Sequence, residues 1–299
     1  MNLQNDKIQQ WLQLLGQPDN YEYEPQLRLI RQFETADFYG EVYEQANGPG
    51  TVQRTLLMLP KTSTPSMPAV VVPFYTPVRM AGYNLDTLEP THEPNLAMAL
   101  HLVRRGYAAV IADAFYLTYL NLEQEHADFS KWVLSAEALL RDHPTWTGMG
   151  KLVADTQLLV DLLCADPRVD ASRIGIAGHS LGGKMALYTG CLDPRIKAIL
   201  CSDFGMDWER SNWSDPWYWG EKLHQLKAAH MDHAELLRSG GCKPFVLLAG
   251  LYDSDEALEY IQRAGYSDPS HYFFLNHASG HHPPMEALDE SYDFLQKWI

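Results

Sequence analysis

The stretch Arg173-Ile174-Gly175-Ile176-Ala177-Gly178-His179-Ser180-Leu181-Gly182-Gly183-Lys184-Met185-Ala186-Leu187 constrains this chain more than any other. An apolar run with the character of a buried strand ends at Gly178, and an amphipathic helical pattern begins just after Ser180. A strand that turns abruptly into a helix crowds the backbone around the residue between them. A side chain at 178 or 182 would clash, and both positions are glycine. Ser180 then stands on the tight turn with its hydroxyl projecting, beside a helix N-terminus whose free N–H groups favour developing negative charge. A Gly-x-Ser-x-Gly pentapeptide occurs by chance in many chains, and the alternative is a glycine-rich turn with an idle serine. The preceding strand and the following helix are what give it chemical meaning.

Around this turn, short apolar runs alternate with helical stretches, the pattern of buried parallel strands joined by crossover helices. Strands are expected over 69–74, 108–112, 173–177, 198–202, 245–249 and 272–275, with helices over 95–104, 150–164, 181–189, 222–237, 256–263 and 285–298. Ile8, Trp11, Leu12, Leu14 and Leu15 add a short amphipathic leading helix over 6–15. Residues 27–59 are rich in aromatic and β-branched positions and broken by Asn47-Gly48-Pro49-Gly50, so they predict antiparallel strands joined by a turn. The Pro-Ser-Thr stretch 61–68 reads as a loop. The fold class is α/β, a mostly parallel central sheet flanked by helices, and without an obvious linker or repeat the 299 residues read as one domain. Residues 116–149 and 204–220 do not fit the alternation and are candidates for a lid or pocket walls.

Charge narrows the partners. Thirty-eight acidic against 23 basic residues give a formal charge of −15, which repels phosphate backbones and anionic membrane surfaces. Neither nucleic acid nor membrane is an expected partner. No window approaches the run of roughly 18 apolar residues that a membrane span requires, and the N-terminus lacks a basic stretch followed by an apolar run, so the expected location is cytoplasmic. Cys164, Cys191, Cys201 and Cys242 show no CxxC spacing and read as separate reduced thiols without a zinc site.

The serine turn and its surroundings resemble the α/β-hydrolase superfamily over about residues 27–299, and within it the dienelactone hydrolase and acetyl xylan esterase-like branch. The resemblance implies a Ser, acid, His order along the chain, with the partners downstream at strand ends. Phe245-Val246-Leu247-Leu248-Ala249-Gly250 leads into Leu251-Tyr252-Asp253-Ser254-Asp255-Glu256, whose Gly-x-x-Asp resembles the family's acid position at Asp253. Asp255 is the rival, or else a cap for the next helix. In Asn276-His277-Ala278-Ser279-Gly280-His281-His282-Pro283-Pro284, the histidine after glycine and ahead of the final helix matches the family's general base, which points to His281. His282 and His277 are the alternatives. The resemblance also implies an oxyanion hole from the Leu181 N–H and a second N–H in Pro73-Phe74-Tyr75-Thr76-Pro77. Many relatives carry His-Gly there; with both prolines unable to donate, Phe74, Tyr75 or Thr76 remains, and Tyr75 is the expected donor.

Other features carry less. Trp208, Trp213, Trp217, Tyr218 and Trp219 crowd 207–220, after the strand that follows the serine helix, and would either line the substrate pocket or pack onto the sheet. His230 and His233 have a spacing that could present two metal ligands on one helix face, though a solvated face is the commoner outcome. Asp37, Glu41, Glu44 and the stretch around Glu123 and Glu125 read as solvated surface. No phosphate loop or Gly-x-Gly-x-x-Gly is present, and the chemistry asks for no cofactor or metal. The resulting expectation is a serine hydrolase of small acyl esters, with acetylated carbohydrate as one substrate class. A prolyl-oligopeptidase-type peptidase or thioesterase is the alternative, and a hydrolase-fold binding protein the non-enzymatic one. Self-association through the leading helix or the excursions is possible on this reading.

Overall fold

The structure, a computed structural model, describes residues 3–17, 26–62, 65–120 and 129–299. Nine strands form one sheet: β1 (Leu27–Glu34), β2 (Phe38–Ala46), β3 (Val52–Pro60), β4 (Met67–Val71), β5 (Ala108–Ala112), β6 (Val169–His179), β7 (Ile196–Ser202), β8 (Phe245–Ala249) and β9 (Tyr272–Asn276). Their spatial order is β1-β2-β3-β5-β4-β6-β7-β8-β9. β1, β2, β3 and β5 pair antiparallel, and from β5 through β9 every pairing is parallel. All residues of β5 and β8 are buried, which is why these strands read as unbroken apolar runs rather than alternating ones.

Eleven α-helices occur among the described residues: α1 (Leu3–Leu15), α2 (Pro77–Ala81), α3 (Met98–Arg104), α4 (Phe115–Thr118), α5 (Phe129–Asp142), α6 (Gly148–Ala165), α7 (Leu181–Leu192), α8 (Leu223–Ala228), α9 (His233–Ser239), α10 (Ala257–Ala264) and α11 (Met285–Leu295). They cover the sheet on both sides. Ala108, Val110 and Ala112 face a core with α1, α5, α6, α7, α9 and α10, while Ala109 and Ile111 face one with α2, α3 and α11. This is the period-two alternation of a strand buried on both faces. Trp11 of α1 is fully buried against Tyr188 of α7 and against Trp219, with ring centroids 5.8 and 6.3 Å apart.

The expected elements recur with local differences. The first predicted strand stops at Val71, since Pro73 has no N–H for a ladder. The helix expected over 222–237 is two, because His230 adopts a positive φ of 52° and Asp232 restarts the helix by accepting the Glu235 N–H. Three of the acidic residues read as solvated are ion-paired: Glu41 is buried against Arg168, and Asp37 pairs with Arg104. The Arg168 hydrogen bonds bring the Glu41 carboxyl down to about 2 against the opposing effect of burial. Glu44 pairs with Arg28. Glu123 and Glu125 lie outside the described residues, as do 121–128 of the 116–149 excursion, whose described part contains α5.

Candidate active site

Strand β6 runs directly into α7 with Ser180 between them at a φ of 56°. A non-glycine residue held in this sparsely populated region is strained, and here the neighbours leave no alternative. A Cβ on Gly178 would lie 2.1 Å from the Gly182 carbonyl oxygen, and one on Gly182 would lie 2.1 Å from the carbonyl oxygen of Pro73. The glycines thus allow the elbow to close on itself and allow the loop after β4 to lie across the first turn of α7. The Ser180 N–H donates to the Ser202 carbonyl at 2.8 Å, tying the elbow to the end of β7. The first N–H groups of α7, Leu181 among them, face the same end of the sheet without intrahelical partners. The Tyr75 carbonyl accepts from the Ala114 N–H at 3.1 Å, which fixes the loop that carries the other expected donor.

His281 reaches this edge from the loop between β9 and α11. The His277 N–H donates to the Ala249 carbonyl at 3.1 Å, and the Asn95 side chain donates to the Pro283 carbonyl at 3.1 Å. A Cβ on Gly250 would lie 2.3 Å from the Gly280 carbonyl oxygen, so the absence of a side chain at 250 lets the two loops meet. The His281 Nδ1 lies 2.6 Å from Asp203 Oδ2. Its ring sits 4.4 Å from that of His179, the residue preceding Ser180, which places serine loop and histidine loop side by side. The alternatives are placed differently: His277 Nδ1 pairs with Ser279 Oγ at 2.7 Å, and the His282 ring lies 5.6 Å from that of His281.

The carboxylate beside His281 is not the one expected to stand there. Asp253 does follow β8, but its carboxylate turns inward and accepts the backbone N–H groups of Phe204, Gly205 and Met206 at 2.5–3.0 Å. Asp203, directly after β7, takes the place beside His281. Its Oδ1 accepts from the N–H groups of Gly250, Tyr252 and Asp253 at 2.8–3.1 Å, leaving Oδ2 for the imidazole. Burial alone would raise the Asp203 carboxyl; the His281 hydrogen bond and the backbone donors outweigh it and hold the group below the usual range. Asp253 has no such charged partner, and burial pushes it up to about 6 despite its three N–H donors. Asp255 accepts from the Asn276 side chain at 2.9 Å. The available sequence signal for Asp203 was its position after the strand neighbouring the serine strand. Like Ser180 it has a positive φ, 43°, which no sequence pattern announces.

The tryptophan segment is interior. Trp213 is fully buried, donates Nε1–H to the Gly205 carbonyl at 2.8 Å and lies 4.6 Å from the His233 ring; Trp208, Trp217 and Trp219 are buried in the same core. Trp213 and Trp219 pack against Tyr188 of α7, Trp208 against His233 of α9, and Trp217 against Phe129 and Trp132 of α5, so none of the four offers an open aromatic face. Two features omitted from the expected site hold them there. His233 is buried, with Nδ1 2.6 Å from the Met206 carbonyl and Nε2 3.1 Å from the Tyr188 hydroxyl, so it shares no face with His230. Lys184 of α7 is buried as well. Its ammonium donates to Ser211 Oγ and Asn212 Oδ1 at 2.9 and 2.7 Å and lies over the Trp213 and Tyr218 rings, and burial brings it down to about 7.

Comparison with known proteins gives the same architecture. The glucuronoyl esterase of Teredinibacter turnerae T7901 superposes with a TM-score of 0.71 at 16% identity, covering 98% of this chain and 83% of that one. The acetyl xylan esterase of Paenibacillus sp. R4 superposes at 0.60 with 16% identity, covering 99% and 93%. In sequence, the Bacillus subtilis (strain 168) protein YtaP, provisionally named a hydrolase, is 28% identical over 178 residues, 54% of this chain and 57% of its own length. The match therefore spans little more than half of that curated relative. The profile of the Abhydrolase family matches residues 2–212, which include the serine elbow and Asp203. With that match over most of the chain and a nine-stranded sheet carrying the elbow between β6 and α7, the protein belongs to the Abhydrolase family of α/β hydrolases.

Proposed function

We propose that this protein is a serine hydrolase of carboxylic esters, acting through Ser180, His281 and Asp203. The observation that carries this reading is the 2.6 Å pairing of His281 Nδ1 with Asp203, on a histidine whose ring abuts the residue before the strained Ser180. Asp203 keeps the Nδ1 proton in place, so that Nε2 is the basic nitrogen. It takes the Ser180 hydroxyl proton as Oγ attacks the ester carbonyl, and the carbonyl electron pair moves onto oxygen. The Leu181 N–H and an N–H of the 74–76 loop, assigned to Tyr75, receive that oxyanion. Collapse breaks the bond to the alcohol oxygen, which leaves with the proton from His281. Water then attacks the acyl-Ser180 carbonyl, giving its proton to His281, and the acid departs as Ser180 recovers its own. The esterase names among proteins of the same fold support an ester as the substrate.

The test is hydrolysis of p-nitrophenyl esters from acetate to decanoate by wild type and Ser180→Ala, with fluorophosphonate labelling alongside. Turnover and labelling in the wild type, both lost in a variant of unchanged melting temperature, are the expected result. Turnover persisting in Ser180→Ala would overturn the assignment.

A further inference from the structure

Leu251 and Tyr252 stand out among the exposed side chains at this edge. Leu251 is 62% exposed and Tyr252 38%, although both follow a fully buried strand. Their exposure is not slack. The Gly250, Tyr252 and Asp253 N–H groups all donate to Asp203 Oδ1, so the backbone carrying them is clamped by the carboxylate that pairs with His281. The Tyr252 ring meets that of His281 at 4.9 Å and 85°, an edge-to-face contact. A half-exposed aromatic ring set against the histidine, with an exposed leucine preceding it in the chain, calls for an occupant, and the mechanism defines which one. In acyl transfer the group beside the histidine is the alcohol, because the histidine returns its proton to the departing oxygen.

We infer that Leu251 and Tyr252 form the alcohol subsite, and that it takes esters whose alcohol carries a ring. A ring laid against Tyr252 covers aromatic surface that a short alkyl alcohol leaves in water, and Leu251 is the exposed apolar side chain next to it in the chain. This deepens the proposed esterase reading and rests on it. The acyl group, on the other side of the reacting carbon, is not selected by these residues.

The experiment compares kcat/KM for benzyl acetate and ethyl acetate, which share an acyl group and have leaving alcohols of similar basicity, in wild type, Tyr252→Ala, Tyr252→Phe and Leu251→Ala. The wild type is expected to prefer benzyl acetate by about tenfold or more, Tyr252→Ala and Leu251→Ala to lose most of that ratio, and Tyr252→Phe to keep it. A wild-type ratio near one, or a ratio unmoved in Tyr252→Ala and Leu251→Ala, overturns the subsite. If the wild type hydrolyses neither ester the subsite falls with it, and fluorophosphonate labelling of Ser180 then tells whether the nucleophile assignment itself failed.

Discussion

Asp203 and Asp253 hold each other's loops: Asp203 Oδ1 accepts the Asp253 N–H at 2.9 Å, while the Asp253 carboxylate accepts the three N–H groups that follow Asp203. One carboxylate faces His281 and the other only backbone, so the two are expected to differ in kinetics. Asp203→Asn should lower kcat by about 10³–10⁴-fold, since an amide does not keep the imidazole in its working tautomer. Asp253→Asn leaves one acceptor oxygen for three donors and should lower kcat by about 10–100-fold, with little change in KM. Steady-state kinetics of both variants check this, and a larger loss at 253 than at 203 would reverse the assignment of the acid.

Gly182→Ala tests the contact between the elbow and the loop after β4, which the proposed mechanism uses for an oxyanion donor. The new Cβ would meet the Pro73 carbonyl oxygen at 2.1 Å, a backbone atom that can yield only if the loop moves. With one oxyanion donor displaced, kcat should fall by about 10²-fold or more, and the melting temperature should fall with it. Wild-type kcat in this variant would place the second donor elsewhere.

Trp213→Ala separates packing from substrate binding. The ring is fully buried among Phe204, Trp208, Tyr188 and His233, so its removal should cost about 3–5 kcal/mol in urea unfolding. KM of the folded fraction should stay within about twofold. A large rise in KM at unchanged stability would return the tryptophans to the pocket wall.

Lys184 makes stability depend on pH. Burial brings its ammonium down to about 7, against 10.5 as the ordinary value. Between those two values the unfolded chain holds a proton that the folded chain has released, so stability rises with pH across that window. Below about 7 both states are protonated and the slope from this group vanishes. Denaturant unfolding at pH 7, 8 and 9 should show the wild type gaining up to about 1.4 kcal/mol per pH unit relative to Lys184→Met. Parallel pH profiles for the two proteins would refute it.

The parallel half of the sheet was legible because strands buried on both faces are apolar without interruption, as in 108–112 and 245–249, and because Gly178 and Gly182 mark a backbone crossing that other residues cannot make. His281 was expected from the resemblance, by its place before the last helix, and the structure sets it beside Asp203 and His179. Asp203 was not, because either aspartate follows a strand and only the direction of its carboxylate distinguishes them. That direction depends on which loop supplies the N–H donors. The tryptophans were ambiguous for a related reason: aromatic residues beside polar ones suit a sugar-binding wall as well as a buried cluster. The structure buries all four tryptophans, and the Lys184 ammonium lies over the Trp213 and Tyr218 rings. His233 was misread because a break at His230 turns the i, i+3 spacing into a core position.

The burial of Trp11 between Tyr188 and Trp219 has a consequence for how the molecule is made. α1 is synthesised before the surface it packs against, which is not complete until Trp219 follows. About two hundred residues of chain must emerge before its tryptophan finds cover, a separation that slows assembly and leaves the helix dependent on other partners in the meantime. The backing of the helix that presents Ser180 is therefore complete only once Trp219 has joined Trp11 on Tyr188, so the elbow's final packing waits on contacts distant in sequence although its own turn is local.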